Sequence, residues 1–375
     1  MNEQFLELVS EIYDIPNIKS CELINERNGP RQFYRKIEDD NYSQKYKINS
    51  DGEYYCIIVH TNERSNISNK STNHRILARA SVYNNMEMLK SKYNLRCPKV
   101  LTVKNAVINK SIIAKEGEYH CLYGTKAVEL CDWIPNLECY SKSNHAFIST
   151  VEFASRVSDA FDSIPTNMND RVAKKLKPAI LYNYTHNNVS FDKFLDNTYV
   201  TDYVEKERIS NYQKMLDDCF REIKDNKDIL LSMQLVISHS DLYTGNIGYL
   251  NDSATYLYDF EDLRYGLRFE DILRIYCELC VNNYSFESGT DFTENFKLFA
   301  DIYNIKDRFT SDLKRVFPTL IVIKILYEIH FAMGLVSAGD SINYYDNSVL
   351  YLKDWIARGD ILFKNIQAIR EIIDR

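Results

Sequence analysis

The sequence predicts an α+β protein of two lobes, a small antiparallel β-rich lobe at residues 1–132 and a larger, mainly helical lobe at residues 133–375. Strand-like runs separated by polar turns fill much of the first third of the chain. Helical periods dominate from about Asn144 onward, and a short strand pair interrupts them near Asp241 and Asp259. The chain has 375 residues, which is more than a single hydrophobic core usually serves. Two lobes are therefore expected.

The first lobe is predicted to begin with a helix and to continue as strands. Apolar residues recur at helical spacing in EQFLELVSEIY, and this helix should stop before Pro16. The turn NSDG between two alternating runs predicts a hairpin. The predicted strands are CELIN, QFYRKIE, SQKYKI, EYYCIIVHT, KVLTV and VELCDWI. Before the fifth of them, HRILARASVYNNMEMLKSKYN is predicted to form a helix.

Composition and charge exclude several classes of protein. The formal net charge of −7 argues against a nucleic-acid partner, since binding to a phosphate backbone requires a basic surface. Nine cysteines without a Cys/His cluster at zinc spacing predict reduced thiols and a cytoplasmic location. The longest apolar stretch, FPTLIVIKILYEIHFAMGL, carries Lys324, Glu328 and His330, so a buried helix is expected there and no membrane span. The N-terminus lacks the pattern of a signal peptide.

Four polar residues in the second lobe suggest a catalytic site. The stretch ISHSDLYTGNIGYL places His239, Asp241 and Asn246 in a loop, and LYDFED places Asp259 at the end of the following strand pair. If the pair is a hairpin, Asn246 and Asp259 can face one Mg²⁺, which takes one or two carboxylates together with substrate phosphates. A base aspartate with Asn and Asp metal ligands is the set needed for phosphoryl transfer. Alternatively, Asp241 and Asn246 are turn-forming residues of a polar loop.

The same residues resemble a known catalytic pattern. HSDLYTGN resembles the HxDxxxxN loop of aminoglycoside phosphotransferases, and LYDFED resembles the metal-binding segment that follows it. The resemblance implies a bilobal protein-kinase-like fold with ATP and Mg²⁺ between the lobes. It also implies Asp241 as the catalytic base, Asn246 and Asp259 as Mg²⁺ ligands, and His239 as a structural residue of the loop.

A second resemblance, to choline and ethanolamine kinases, spans about residues 238–337. EDILRIYCEL is similar to their FDIxxHFCEW run, and HFAMGLVS is similar to their HFFWGLWS. It implies Glu278 as a carboxylate for a cationic acceptor, with a helix-surface carboxylate as the alternative. Glu261 is a second candidate substrate residue; with Asp262 it could instead assist the metal site, or both could be solvated loop acids. The tryptophans of those enzymes are replaced here by Leu279, Met333 and Val336. Choline is therefore disfavoured, because indole rings attract a quaternary ammonium.

The nucleotide-binding residues of the first lobe match the resemblance less well. INERNGPRQFYRKIE is similar to a glycine loop whose only glycine is Gly29, and His60 stands where the relatives carry a lysine or arginine for the α and β phosphates. The nearest acid on the next helix is Glu87, one turn later than a partnering glutamate should be. Either the alignment slips here or the nucleotide is held differently. The candidate substitutes are Lys47, Arg75, Arg79 and Lys126.

The sequence thus predicts an ATP- and Mg²⁺-dependent kinase that phosphorylates a hydroxyl of an amino alcohol, an amino sugar or a similar polar metabolite. Three alternatives stay open. They are an antibiotic-inactivating phosphotransferase, a sugar or lipopolysaccharide kinase, and an inactive nucleotide-binding protein. The partners expected are the nucleotide and the small-molecule acceptor.

Overall fold

A computed structural model describes most of the chain. The described residues are 3–16, 18–23, 44–59, 73–108, 112–124, 126–134, 137–165, 170–185, 189–279, 292–338 and 345–374. Within them the protein has two lobes, an N-terminal antiparallel sheet and a C-terminal helical assembly, as the sequence predicts.

The described part of the N-lobe contains three helices and a seven-stranded sheet. The helices are α1 (Glu3–Tyr13), α2 (Asn73–Asn84) and α3 (Met86–Tyr93). The strands are β1 (Ile18–Leu23), β2 (Gln44–Ser50), β3 (Glu53–Val59), β4 (Val107–Ile108), β5 (Ile112–Ala114), β6 (His120–Tyr123) and β7 (Lys126–Asp132). They lie in the order β1-β2-β3-β7-β6-β5-β4.

The predicted hairpin in this lobe is confirmed. Strands β2 and β3 pair antiparallel across NSDG. Asp51 and Gly52 both have positive φ, of 48° and 94°, as a two-residue hairpin turn requires. The helix predicted for EQFLELVSEIY is also confirmed. The run QFYRKIE lies outside the described residues.

The prediction of a strand at KVLTV is wrong. Only Val100 forms a bridge, to Cys131, although Leu101 donates its backbone N–H to the carbonyl of Leu130 at 2.8 Å. Pro98 precedes this segment and lacks the N–H that a longer ladder requires. The helix predicted for residues 74–94 is divided at Asn85, and Leu77, expected on its buried face, is 45% exposed.

The two faces of the N-lobe sheet lie against different parts of the protein. One face packs its apolar side chains, among them Ile48, Ile57 and Val128, against α1. Side chains alternate along a strand, so the neighbouring positions point to the opposite face. Lys45 pairs with Ile58, and Ile58 pairs with Glu129, which places these three side chains together on the face that looks toward α2 and the C-lobe.

The C-lobe is built mainly of helices. They are α4 (Asn144–Asp162), α5 (Asp170–Thr185), α6 (Thr198–Thr201), α7 (Lys206–Asp225), α8 (Lys227–Ser232), α9 (Phe269–Leu279), α10 (Phe292–Tyr303), α11 (Ile305–Arg308), α12 (Ser311–Ser337) and α13 (Tyr345–Asp374). Two antiparallel strand pairs interrupt them. They are β8 (Leu235–Ser238) with β11 (Arg264–Leu267), and β9 (Ile247–Leu250) with β10 (Ser253–Leu257).

Helix α12 forms the centre of the C-lobe core. Its residues Ile321, Ile325 and Ile329 are fully buried, and α13 packs against it with the buried Trp355. By length and composition α12 is the one helix among the described residues that could cross a membrane, and 61% of its most apolar window is buried inside the protein. It is thus a core helix of this fold, as predicted from its sequence.

Candidate active site

The loop between β8 and β9 brings two of the predicted site residues into direct contact. It contains residues 239–246 and ends in a single 3₁₀ turn, Thr244–Asn246. The side chain of Asn246 donates from Nδ2 to the backbone oxygen of Asp241 at 2.8 Å and to its Oδ2 at 3.2 Å. Asn246 is 5% exposed, whereas 37% of the Asp241 side chain is exposed. The base candidate is therefore held from behind and open toward solvent.

The hairpin of β9 and β10 returns the chain to the same place. The backbone N–H of Tyr258 donates to the carbonyl of Asn246 at 2.9 Å, so Asp259 follows immediately beside the loop. Asp259 has a φ of 58°, a left-handed conformation that aspartate tolerates better than most side chains. Its Oδ2 accepts a hydrogen bond from Lys45 of the N-lobe at 3.2 Å. Asp259 thus lies where the two lobes meet.

Asn246 and Asp259 each offer a side-chain oxygen of the type that magnesium binds. Asp259 Oδ1 is buried and has no hydrogen-bond partner among the described residues. Asn246 uses its Nδ2 in the bonds to Asp241, which leaves Oδ1 as the atom able to bind a cation. No group of three or more His, Cys, Asp or Glu side chains within the described ranges is arranged to hold a metal. Two protein oxygens suit Mg²⁺, which takes its other ligands from phosphates and water.

His239 braces the loop from the interior. The residue is fully buried, and its Nε2 donates to the carbonyl of Tyr258 at 2.7 Å. Its ring also packs against Phe260, with 5.7 Å between centroids. Because the ring joins the catalytic loop to the strand that ends before Asp259, the geometry agrees with the structural role suggested for it.

Asp271, in the first turn of α9, anchors the start of the loop. Its carboxylate accepts hydrogen bonds from Ser238 Oγ at 3.0 Å, from His239 N at 2.9 Å and from Ser240 N at 2.7 Å. Ser240 has a φ of 68°, so these bonds hold the chain in a left-handed turn directly before Asp241. The sequence motif containing Asp271 was recognised, but its function in the loop was not predicted.

Glu278, one predicted substrate residue, also supports the loop. Its two carboxylate oxygens accept from the backbone N–H of Thr244 at 2.7 Å and from Thr244 Oγ1 at 2.9 Å. The residue is 3% exposed. These bonds place Glu278 behind the loop. Contact between Glu278 and an acceptor therefore stays a prediction. The side chain of Glu261, the other predicted substrate residue, lies outside the described part of the structure.

Arg274 is a site residue that the sequence analysis did not identify. Its Nε lies 3.3 Å from Asp241 Oδ1, its Nη1 lies 2.8 Å from Glu328 Oε1, and its guanidinium stacks over the ring of Tyr243 at 5.0 Å. Glu328 also accepts from Lys324 Nζ at 2.7 Å. Arg274 follows Asp271 by three residues, so both project from one side of α9. That spacing was the available signal.

These contacts set the protonation of the site. Burial raises the pKa of Asp241, and this effect outweighs the opposing charges of Arg274 and His239. A carboxylate with a raised pKa accepts a proton more readily at neutral pH. Burial alone would also raise the pKa of Glu328, but the charges of Lys324 and Arg274 lower it to about 2. Glu328 is therefore an anion that fixes Arg274 beside the base candidate.

The N-lobe residues predicted to bind the nucleotide are only partly visible. Gly29, His60 and the side chain of Arg75 lie outside the described residues. Arg79 forms a buried ion pair with Glu129, with Nη1 3.1 Å from Oε1. Glu129 Oε2 also accepts a hydrogen bond from the Tyr83 hydroxyl at 3.2 Å.

Two lysines of β2 project toward this region. Lys47 lies over the rings of Tyr54 at 4.5 Å and Trp133 at 4.8 Å. Lys45, which contacts Asp259, was not among the candidate substitutes.

No protein-family model matches the sequence, and no curated protein matches it significantly. Solved structures, however, share this fold. A spectinomycin phosphotransferase, solved with ADP and spectinomycin, has a TM-score of 0.54 and 13% identity over 98% of this chain and 99% of that chain. An aminoglycoside phosphotransferase from Alicyclobacillus acidocaldarius has a TM-score of 0.50 and 10% identity over 91% of this chain and 92% of that chain. An ethanolamine kinase from Plasmodium vivax has a TM-score of 0.47 at 12% identity over 94% and 89%, too low to support a conclusion. At these identities the similarity establishes the bilobal kinase-like fold, which confirms the fold that the sequence motifs indicated.

Proposed function

We propose that this protein is an ATP- and Mg²⁺-dependent small-molecule kinase that transfers the γ-phosphoryl group to a hydroxyl of a polar metabolite. The observation that carries the proposal is the convergence of Asp241, Asn246 and Asp259. Asn246 is bonded to Asp241 at 2.8 Å and 3.2 Å and adjoins Asp259 through the Tyr258 backbone. A polar turn does not require that Asp259 Oδ1 be buried without a partner in the described structure.

In the proposed reaction, Asp241 accepts the proton of the acceptor hydroxyl. The hydroxyl oxygen attacks the γ-phosphorus, and the bond between the γ-phosphorus and the bridging oxygen of the β-phosphate breaks. The raised pKa of Asp241 suits it to this role. Asn246 and Arg274 hold its carboxylate in one orientation, and a positioned base contributes roughly 10²–10⁴-fold in rate. Asn246 and Asp259 would hold Mg²⁺, which when bound neutralises charge on the β and γ phosphates.

We further propose an acceptor that carries an amine as well as a hydroxyl, such as an amino alcohol or an amino sugar. The support is the resemblance of the HSDLYTGN and EDILRIYCEL motifs to those of aminoglycoside phosphotransferases and of choline and ethanolamine kinases, whose acceptors carry an amine or ammonium group. A quaternary ammonium is disfavoured, because side chains without aromatic rings stand where choline and ethanolamine kinases carry tryptophans. These are Leu279, Met333 and Val336.

The test is a phosphate-transfer screen with γ-labelled ATP and Mg²⁺. The acceptor panel contains amino alcohols, amino sugars, aminoglycosides with spectinomycin, neutral sugars and lipopolysaccharide core sugars. We expect labelling of an amine-bearing alcohol or sugar, and labelling of the antibiotics alone would favour the antibiotic-inactivating alternative. An unlabelled panel with a protein that still binds ADP would favour the inactive nucleotide-binding alternative.

The matched variants in this screen are Asp241→Asn and Asp301→Asn. Asp241→Asn should lower kcat by at least about 100-fold and leave the Kd for ADP unchanged, because only the base is removed. Asp301 is exposed on α10, so Asp301→Asn should keep full activity. Equal turnover in both variants would remove Asp241 from its role.

A further inference from the structure

We infer that Lys45 on β2 is the cation that binds the α and β phosphates of the nucleotide. The inference rests on the proposed kinase function and names a residue of the same site. Lys45 belongs to the N-lobe sheet, but its Nζ lies 3.2 Å from Oδ2 of Asp259 in the C-lobe. It therefore reaches across to the carboxylate beside which the phosphates would lie.

The register of the sheet places Lys45 where β3 has no cation. Strand β3, Glu53–Val59, contains no lysine, arginine or histidine. Ile58 is directly opposite Lys45 and points to the same face. Lys45 on β2 thus lies beside the apolar Ile58 of β3. It places a positive charge on the face of the sheet that looks toward the C-lobe, where β3 itself has none.

Glu129, which shares this face of the sheet with Lys45, receives a cation from α2. Glu129 on β7 is opposite Ile58, but its carboxylate is bound by Arg79 of α2 at 3.1 Å and by the hydroxyl of Tyr83 at 3.2 Å. Here the helix provides the cation and the sheet provides the anion. Helix α2 is therefore bound to the sheet through its own arginine, and Lys45 contacts Asp259 in the C-lobe.

The chemistry of Lys45 suits a phosphate. Its side chain is 22% exposed and that of Asp259 is 28% exposed, so both border a space that solvent enters. A lysine ammonium is a point charge on a flexible stem and binds phosphate oxygens through charge-assisted hydrogen bonds. The four-carbon stem allows Nζ to turn from Asp259 toward a phosphate when Mg²⁺ takes the carboxylate.

Lys47 provides a matched control for Lys45. It lies two residues further along β2, on the same face and with the same charge. Its Nζ is held over the rings of Tyr54 and Trp133 at 4.5 Å and 4.8 Å. The inference assigns the phosphates to Lys45 alone, so the two lysines should differ in their dependence on phosphate.

The test measures the Kd of adenosine, AMP and ADP with Mg²⁺ by calorimetry. The proteins are the native chain and its Lys45→Met, Lys45→Arg and Lys47→Met variants. A charge-assisted hydrogen bond is lost in Lys45→Met, so ADP should bind about 10–100-fold more weakly while adenosine binds as before. Lys45→Arg should recover part of the loss, and Lys47→Met should keep the native ratio of ADP to adenosine affinity.

Each contrary outcome has a separate meaning. A native protein that binds ADP, together with a folded Lys45→Met variant that binds ADP equally well, overturns the inference and leaves the proposed function standing. An equal loss of adenosine and ADP affinity in Lys45→Met also overturns it, because the phosphates would not be involved. A native protein that binds none of the three ligands overturns the proposed function and the inference with it.

Discussion

The candidate catalytic loop and the contact between the lobes differ in how far apart their partners lie in the sequence. In the C-lobe, Asn246 is bonded to Asp241 five residues away, within one loop that α9 supports. Between the lobes, Lys45 meets Asp259 across 214 residues of sequence, and within the N-lobe Tyr83 meets Glu129 across 46. Contacts within a loop leave a motif in the sequence, whereas contacts between distant elements depend on strand register. The candidate catalytic loop was therefore predictable, and the position of Lys45 was not.

The largest expected effect tests the long-range part of this comparison. Arg79→Met leaves the buried carboxylate of Glu129 without its cation, so the free energy of unfolding should fall by about 3–5 kcal/mol. The double variant Arg79→Met with Glu129→Met should recover most of the loss, because both charges are removed. Urea unfolding measures both values. A single variant within about 0.5 kcal/mol of the native protein would show that the N-lobe does not depend on this pair.

A second prediction concerns the charges behind the catalytic loop. The pKa of Glu328 is lowered to about 2, against 4.5 for the free side chain, by Lys324 and Arg274 in opposition to burial. Its contribution of about 3 kcal/mol is present above the unfolded pKa and is lost as the pH falls toward the folded pKa. The stability difference between the native protein and Glu328→Gln should therefore be large at pH 7 and shrink between pH values of about 5 and 3.

The measurement for Glu328 is urea unfolding across this pH range. Glu371→Gln on α13 is the control, since Glu371 is exposed and its difference from the native protein should stay near zero at every pH. A constant difference for Glu328→Gln from neutral to acidic pH would contradict the proposed charge network.

The smallest expected effect tests how the loop itself is anchored. Asp271→Asn keeps one carbonyl oxygen but replaces the other acceptor with a donor, which faces the N–H donor of either His239 or Ser240. We expect a loss of about 2 kcal/mol in stability and a lower kcat with little change in the Kd for ADP. Asp301→Asn again serves as the exposed control. An unchanged kcat would show that the loop keeps its shape without this carboxylate.

The sequence was sufficient where local patterns determine the structure. Apolar periodicity gave helix α1 and the buried helix α12, and NSDG gave the hairpin of β2 and β3. It failed for KVLTV, since an apolar run does not reveal whether it pairs along its length or at a single residue.

At the candidate site, spacing predicted that Asp241, Asn246 and Asp259 would lie together, and the structure brings them together. Arg274 and Lys45 were missed for physical reasons. The spacing of Arg274 from Asp271 indicates only that both lie on one side of α9, and its distance to Asp241 depends on how α9 packs. Lys45 acquires its position from the register with Ile58.

The central claim is that Asn246 and Asp259 hold one divalent cation beside Asp241. A crystal structure with ADP and Mn²⁺, read from the anomalous signal of manganese, tests it most directly. We predict a manganese peak about 2.1 Å from Asn246 Oδ1 and from a carboxylate oxygen of Asp259. Manganese bound to the ADP phosphates with neither side chain in contact would contradict the claim.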